Sequence, residues 1–166
     1  MSIEIKKRET LKSLQNKGLI NSFEIYKESY NKLVLESEVI LKDKEALIRL
    51  DIDANNKYNV VHYGIGKIIN RYYDDIEDRI LFALNKFNST NVILKYFIDA
   101  DDYIVAYATY IANNEVFCGD EFIDLMQQGF ALLEDDLDEL YGIFEVDPDR
   151  IKLHDITDML KLLNLM

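Results

Sequence analysis

The spacing of hydrophobic and polar residues predicts its densest structure in the second half of the chain. Apolar residues recur at helical spacing from Ile76 to Phe87, which predicts an amphipathic helix capped by Asp74. Val92 to Tyr110 alternates around the acidic turn DADD, a pattern typical of a β-hairpin. A longer amphipathic helix is predicted over Glu121 to Phe144. We therefore expect a helix, a hairpin and a second helix, in this order.

The acidic turn of the hairpin determines which side chains share a face. Asp102 is placed at the left-handed position that glycine often holds. A two-residue loop would put Ile98 and Tyr103 on one apolar face, which we expect to pack on helices. The other, mixed face would then carry three candidate partner-binding residues: Phe97, Ile104 and Tyr110. A loop one residue longer would pair the strands differently, so this assignment depends on register.

The first half is predicted to hold one surface helix followed by strands. Ser2 caps a helix that runs through Leu14, and Gly18 ends it in the left-handed conformation. Alternating and β-branched residues then predict the strands Ser22–Lys27, Lys32–Leu41, Ala46–Ile52 and Tyr58–Ile69. In the last of these, Gly64 and Gly66 indicate a bulge or bend.

Two features near the C-terminus complete the predicted fold. Gly129 inside the long helix costs about 1 kcal/mol relative to Ala, which indicates close packing at that position. Asp147-Pro148 is a typical helix start, and Asp155 is placed to cap a last helix through Leu163.

Composition favours one globular domain in a reducing compartment. A chain of 166 residues with 49% hydrophobic and 30% charged residues is ordinary for a single domain. It has no run of eighteen apolar residues, so we expect no membrane span, and the basic N-terminus lacks the apolar stretch of a signal peptide. The one cysteine, Cys118, has no internal disulfide partner, which favours a cytoplasmic location.

The charge balance excludes one class of partner. A net charge of −12 argues against nucleic acid, because phosphate contacts need clustered Lys and Arg. Acidic residues concentrate in EDDLDEL and EVDPD. They form either a solvated face that keeps the protein soluble or a surface that recruits a basic partner.

No motif for catalysis, a cofactor or a metal is complete. Asp51, Asp53 and Asn55 match the start of a calcium loop, but the turn glycine and the final Glu are missing, so a polar turn is the better interpretation. The glycines of GIGK lack the spacing of a phosphate-binding loop. Cys118 would need His62 or His154 beside it to act as a nucleophile. We therefore expect no enzyme, no cofactor and no metal.

The hairpin and the long helix also resemble a known family. LNKFNSTNVILKYFIDADDYIVAYATY and DEFIDLMQQGFALLEDDLDELY resemble the YbjN-like family of bacterial proteins, often labelled sensory transduction regulators, which share a fold with type III secretion chaperones. The matching features are Asn85 and Asn88 at the helix end, Lys95 and Asp99 before an acidic turn, and paired acids in the long helix. The chain departs from the pattern by lacking the usual turn glycine and by adding a helix after Pro148, which could cover the partner surface.

The residue patterns predict the order α-β-β-β-(β)-α-β-β-α plus a C-terminal helix. The resemblance implies that these elements form an α+β domain, an antiparallel sheet with helices packed on it, in a homodimeric state. Residues 1–146 would form the core of this single domain, and 147–166 a C-terminal helical extension. The secretion chaperones of this fold hold an extended stretch of a client protein, and exposed sheet faces and edges can capture such a chain.

Three functional hypotheses remain open from the sequence. The first is a non-enzymatic, chaperone-like or regulatory module that holds a partner polypeptide. The second is an acidic immunity or inhibitor protein that neutralises a basic toxin or nuclease. The third is an enzyme built on Cys118 or on scattered carboxylates, which a stabilising ligand would reveal.

Overall fold

The structure, a computed structural model, describes residues 1–41, 44–68, 74–144 and 151–152. These residues form α1 (Glu4–Asn16), β1 (Glu24–Glu28), β2 (Lys32–Leu41), β3 (Lys44–Asp53), β4 (Tyr58–Ile68), α2 (Asp74–Thr90), β5 (Lys95–Ile98), β6 (Tyr103–Ile111), α3 (Gly119–Phe144) and β7 (Ile151–Lys152). The predicted α+β class and element order are confirmed.

The predicted C-terminal extension, 147–166, is described at two residues only. Ile151–Lys152 form the short strand β7 rather than part of a helix that begins at Asp147-Pro148. The rest of that prediction, including His154 and the helix that Asp155 would cap, lies outside the described residues.

The strands form one antiparallel sheet with two different edges. The order across the sheet is β1-β2-β3-β4-β6-β5, and β7 pairs with the end of β4. The strands β1, β2, β3 and β4 follow one another both in the chain and in the sheet. The next strand in the sheet is β6, which pairs with β4 although α2 and β5 lie between them in the chain. As a result β1 and β5 are the outermost strands.

The local predictions for the strands agree closely with the structure. The bounds of β2 are confirmed at both ends, while β1 starts two residues later than predicted because Ile20–Ser22 forms a 3-10 turn. The pairing of β4 shifts register between Gly64 and Gly66, which confirms the predicted bulge. Gly18 has a φ of 71° and ends α1 as predicted.

The predicted hairpin register is wrong by one residue. The observed pairs are Lys95–Tyr107, Tyr96–Ala106, Phe97–Val105 and Ile98–Ile104. The Asp99 N–H donates to the Tyr103 carbonyl at 3.0 Å, so the loop comprises residues 100–102. The Asp99 carboxylate stabilises this wider turn, because its Oδ1 accepts the N–H groups of Asp101 and Tyr103 at 2.9 and 3.0 Å. Asp102 has the predicted left-handed conformation, with a φ of 71°.

The three helices bury their apolar stripes against one face of the sheet, here called the first face. Their buried residues form one cluster with first-face residues such as Leu50, Tyr63 and Ala106. Side chains alternate along each strand, so their neighbours in sequence point to the second face. On that face Val34, Leu47, Tyr103 and Val105 are buried outside the cluster.

Two close contacts fix the helices. The amine of Lys6 in α1 is buried and donates to Asp53 O, Asn56 O and Asn59 Oδ1 at 2.6, 2.8 and 3.0 Å, which ties α1 to the β3–β4 turn. At Gly129 in α3, an added Cβ would lie 2.3 Å from the hydroxyl of Tyr63, so the predicted close packing is confirmed.

Candidate partner-binding surface

The three residues predicted to bind a partner do not share a surface. Phe97 lies half-buried on the second face, with its ring 5.9 Å from that of Tyr107 in an edge-to-face arrangement. Ile104 is 1% exposed and belongs to the first-face core. Tyr110 also lies on the first face, where its ring packs with Phe117. The corrected register separates the three, because odd and even positions of the hairpin exchange partners.

The hydroxyl of Tyr110 is part of the structural contact between β6 and the start of α3. It donates to Glu121 Oε2 at 2.7 Å and accepts the backbone N–H of Cys118 at 3.2 Å. Burial and the bond to Glu121 raise the pKa of Tyr110 to about 12. A role of Tyr110 in partner binding remains a prediction, and its contacts here are internal.

One edge of the sheet, β5, is occupied by the end of α2. The Asn88 side chain bonds to both outer backbone groups of Tyr96: its Nδ2 donates to Tyr96 O at 2.9 Å, and its Oδ1 accepts Tyr96 N–H at 2.7 Å. The amine of Lys95 turns back to the carbonyls of Asn88 and Asn91, at 2.8 Å each. Asn88 therefore blocks an added strand at the centre of this edge, because the outward backbone groups of Tyr96 are already paired.

The other edge, β1, is exposed along its whole length. All five of its residues are solvent-exposed, including Ile25 at 51% and Tyr26 at 39%. Ile25 pairs with Leu35 on the first-face side, whereas Tyr26 lies at a bulge with its ring over Arg49 on the second face. Among the described residues, no backbone group outside the sheet forms a hydrogen bond with the backbone of this strand. Apolar side chains thus flank an accessible edge on both faces.

A row of charged, polar and aromatic residues crosses the second face from edge to edge. Backbone pairing places in line Glu24, Glu36, Arg49, His62, Tyr107 and Lys95, one from each strand except β7. Arg49 is buried, and its Nε donates to Glu36 Oε1 at 2.8 Å, with a second, shorter bond from Nη2. Burial raises the pKa of Glu36, and Arg49 opposes this shift. The centre of the row is therefore a buried, hydrogen-bonded ion pair.

His62 in this row is held as a neutral imidazole. Burial lowers its pKa to about 4, and the charge of Asp51 opposes this shift only in part. Its Nδ1 is buried and makes no hydrogen bond within the part of the chain that the structure describes. Protonation of His62 would therefore place a buried charge beside Arg49.

The partial calcium loop and Cys118 make contacts within the fold. In the partial calcium loop, Asp53 Oδ1 accepts the Asn55 N–H at 2.7 Å, which makes it a polar turn as expected. Cys118 bonds through its backbone to Tyr110 on the first face, whereas His62 lies on the second, so the sheet separates them. Within residues 1–41, 44–68, 74–144 and 151–152, no three His, Cys, Asp or Glu residues are grouped to hold a metal. None of the described helices is long and apolar enough to span a membrane.

Comparisons with known proteins leave the family open. No family model matches the chain, and no curated protein matches it. Among solved structures it is similar to the crystal structure of the Yersinia pestis type III secretion chaperone SycH in complex with a stable fragment of YscM2. That likeness has 12% identity and a TM-score of 0.46, and covers 79% of this chain and 96% of the other. A likeness with this identity and TM-score does not establish a family or a function for this chain. The resemblance to the YbjN-like family stays a prediction.

Proposed function

We propose that this protein is a non-enzymatic, chaperone-like or regulatory module that holds an extended segment of another polypeptide as an added strand along β1. The observation that carries the proposal is the contrast between the sheet edges: Asn88 occupies the outward backbone groups of Tyr96 in β5, whereas every residue of β1 is exposed. The non-enzymatic part rests on the sequence motifs alone.

An extended segment would gain two kinds of contact at β1. Strand addition supplies main-chain hydrogen bonds, and side-chain contacts at alternate positions supply specificity. Ile25 and Tyr26 offer apolar area on opposite sides of the sheet. The charged residues of β1 and its bulge limit indiscriminate pairing, since these are devices that protect edges from aggregation.

The charges next to β1 indicate the chemistry of the segment. Glu24 and Glu36 pair across β1 and β2 on the second face, and both Glu24 and Glu38 raise the pKa of Glu36. Arg49 already pairs with Glu36, so Glu24 and Glu38 carry the remaining negative charge, which favours a Lys or Arg on the side of the added strand that faces them. We expect an alternating segment with an apolar residue over Ile25 and a basic residue toward Glu24.

Peptide selection tests the proposal directly. A phage library of random linear peptides of about 12 residues, longer than most strands, is selected on the full chain. Selected peptides are then compared by calorimetry on I25S/Y26S and on the matched control V92S/V116S, which removes exposed apolar side chains outside the sheet. We expect I25S/Y26S to weaken binding about tenfold or more, the effect of losing interface anchors worth about 1.4 kcal/mol.

Three results would contradict the proposal: no peptide is selected, both variants lose binding equally, or I25S/Y26S binds like the wild type. Thermal unfolding of each variant confirms that it is folded under the assay conditions. If peptide binding is lost at high salt and I25S/Y26S binds as tightly as the wild type at low salt, the second hypothesis is favoured instead: an acidic immunity or inhibitor protein that neutralises a basic toxin or nuclease.

The described acidic residues give the immunity or inhibitor hypothesis less support than β1 gives strand addition. In the EDDLDEL segment, Asp136 Oδ2 accepts the Tyr96 hydroxyl at 2.5 Å, and both carboxylate oxygens of Glu139 accept the Lys86 amine at 3.0 Å. These two acids thus already serve internal contacts. The second acidic segment, EVDPD, lies outside the described residues.

A further inference from the structure

The second face of the sheet carries a buried diagonal band, here called the covered band. Its members are all at most 5% exposed: Tyr103 and Val105 in β6, Leu47 and Arg49 in β3, and Val34 in β2. On either side of the band the same face is open, with exposures of 46–66% for Tyr58 and Ile111 at one end of the strands and Ile40 at the other. The burial therefore follows a stripe across the sheet rather than the whole face.

A covered band requires a layer above it. Neighbouring strands lie about 4.8 Å apart beside a side chain and leave its outer end open, so full burial needs an element packed about 10 Å above the sheet. Within the described residues, Tyr26 places its ring over Arg49, while α1, α2 and α3 all pack on the first face. No described helix lies above Leu47 or Val105.

We propose that residues 153–166 cross the second face of the sheet and form this layer. β7 is antiparallel to β4, so the chain that follows Lys152 points back along β4 toward Gly64. On that side of β4 the place opposite Gly64 is already taken by Leu47 of β3, because β6 pairs with the other side. The chain must leave the plane of the sheet there, and the helices fill the first face. It therefore arrives on the second face at Leu47, a member of the covered band.

The other stretches outside the described residues connect elements elsewhere. Residues 42–43 join β2 to β3, whereas 69–73 and 145–150 each join the sheet to a helix of the first face. Residues 153–166 are not tied to such a connection. As a helix they would span about 21 Å at about 1.5 Å per residue. That length exceeds the distance of about 14 Å from β4 to β1, given by the strand spacing, so it suffices to cover the band.

The sequence of residues 153–166 suits this position. Ile156, Leu160 and Leu163 recur at i, i+4 and i+7 in the helix that Asp155 is predicted to cap, and Lys161 falls on the opposite side. Such an apolar stripe matches the aliphatic members of the covered band. The face would then be occupied by the chain itself, which leaves the β1 edge as the part of the sheet that a partner reaches.

A nitroxide spin label on K161C, in a C118S background that removes the one other thiol, locates the segment in the full chain. This position leaves the apolar stripe unchanged. We expect the label to broaden NMR methyl signals of the second face more than those of the first: Val34, Leu47 and Val105 more than Leu35, Ile48 and Leu50. The same label on K12C, an exposed position of α1, is the matched control and should reverse the order. If the label at 161 broadens both faces equally, or the first face more, the proposal is overturned.

Mixing spin-labelled chains with isotope-labelled chains that carry no spin label tests whether the layer comes from the same molecule. We expect no broadening in this mixture. Broadening of the second-face methyl signals would show that a second copy supplies the layer, which would overturn the assignment within one chain.

Hydroxyl-radical footprinting tests whether the apolar stripe holds the layer in place. In I156S/L160S, we expect Tyr103 to be oxidised several times faster than in the wild type, while Tyr63, a buried tyrosine of the first face, stays protected. D158S/K161S changes the polar side of the same segment and should leave both tyrosines protected. A Tyr103 that stays protected in I156S/L160S contradicts the proposal. If Tyr63 reacts as well, that variant has lost its fold, and the spin-label result decides.

The covering segment and strand addition at β1 are independent. The first concerns side chains above the second face, and the second concerns the outward backbone of the edge strand. Peptide selection with I25S/Y26S does not depend on where residues 153–166 lie. Failure of either proposal therefore leaves the other standing.

Discussion

Replacing Gly129 with alanine tests whether close packing or helix propensity governs the middle of α3. On propensity alone the change should stabilise the protein, because alanine is favoured over glycine in a helix interior by about 0.8–1.0 kcal/mol. The structure predicts the opposite sign, since Gly129 faces the hydroxyl of a buried tyrosine, Tyr63.

The contacts at Gly129 set the magnitude. An added Cβ would lie 2.3 Å from Tyr63 Oη and 3.1 Å from Leu94 Cδ2, so both side chains must move. Moving Tyr63 breaks its 2.6 Å hydrogen bond to the Met126 carbonyl, a loss of about 1–3 kcal/mol in a buried site. Overpacking adds about 1–3 kcal/mol. After the propensity gain of about 1 kcal/mol, these terms sum to a net destabilisation of about 1–5 kcal/mol.

Chemical denaturation gives the free energy of unfolding, and calorimetry should show a melting temperature that falls by about 2–4 °C for each kcal/mol lost in a chain of this size. The matched background is Y63F, which keeps the ring but removes the hydroxyl that the new Cβ would strike. G129A should therefore destabilise the Y63F protein much less than the wild type.

A G129A variant that is more stable than the wild type by about 1 kcal/mol would show that only helix propensity acts at this position and that Tyr63 yields without cost. Equal effects of G129A in the wild-type and Y63F backgrounds would contradict the predicted clash, since the coupling would not involve the hydroxyl.

Three further predictions concern buried polar groups. K6M should destabilise the protein by about 2–4 kcal/mol in urea unfolding, because three oxygen atoms lose their buried donor, and K12M on the exposed side of α1 should have little effect. N88A should destabilise by about 1–2 kcal/mol and increase aggregation measured by light scattering, because it frees both backbone groups of Tyr96 at the β5 edge. The pKa of His62 is about 4 in the folded protein and about 6.5 in the unfolded chain, so between these pH values the unfolded chain binds a proton that the folded protein does not. The free energy of unfolding should therefore fall by up to about 3 kcal/mol as the pH drops from 6.5 toward 4. Carboxyl groups with raised pKa values stabilise the folded protein as the pH falls, which is opposite to the effect of His62. The quantity to compare is therefore the free energy of unfolding of the wild type minus that of H62Q at each pH. A difference that stays constant with pH would contradict the prediction.

Local sequence signals predicted most elements of this fold. Alternation located β2, and the two glycines of β4 indicated its bulge, because side-chain period and glycine position act within a few residues. The left-handed Asp102 was predicted as well, yet the loop length around it was not. The choice between two and three loop residues depends on the hydrogen bonds that Asp99 makes, and a one-residue error reverses both faces.

The candidate surface was harder to predict because it depends on long-range pairing. Which strand lies at an edge follows from β6 pairing with β4, and no local pattern encodes that choice. Asn88 indicated only a helix end, although its side chain occupies the outward backbone groups of Tyr96 in β5.

Backbone amide hydrogen exchange with and without a selected peptide is the most direct test of strand addition. Strand addition at β1 predicts that peptide binding slows exchange in Glu24–Glu28, while exchange in Lys95–Ile98 is unchanged because Asn88 already occupies the backbone of Tyr96 there. If the peptide binds without protecting β1, or protects β5 or the helices instead, strand addition at β1 is contradicted.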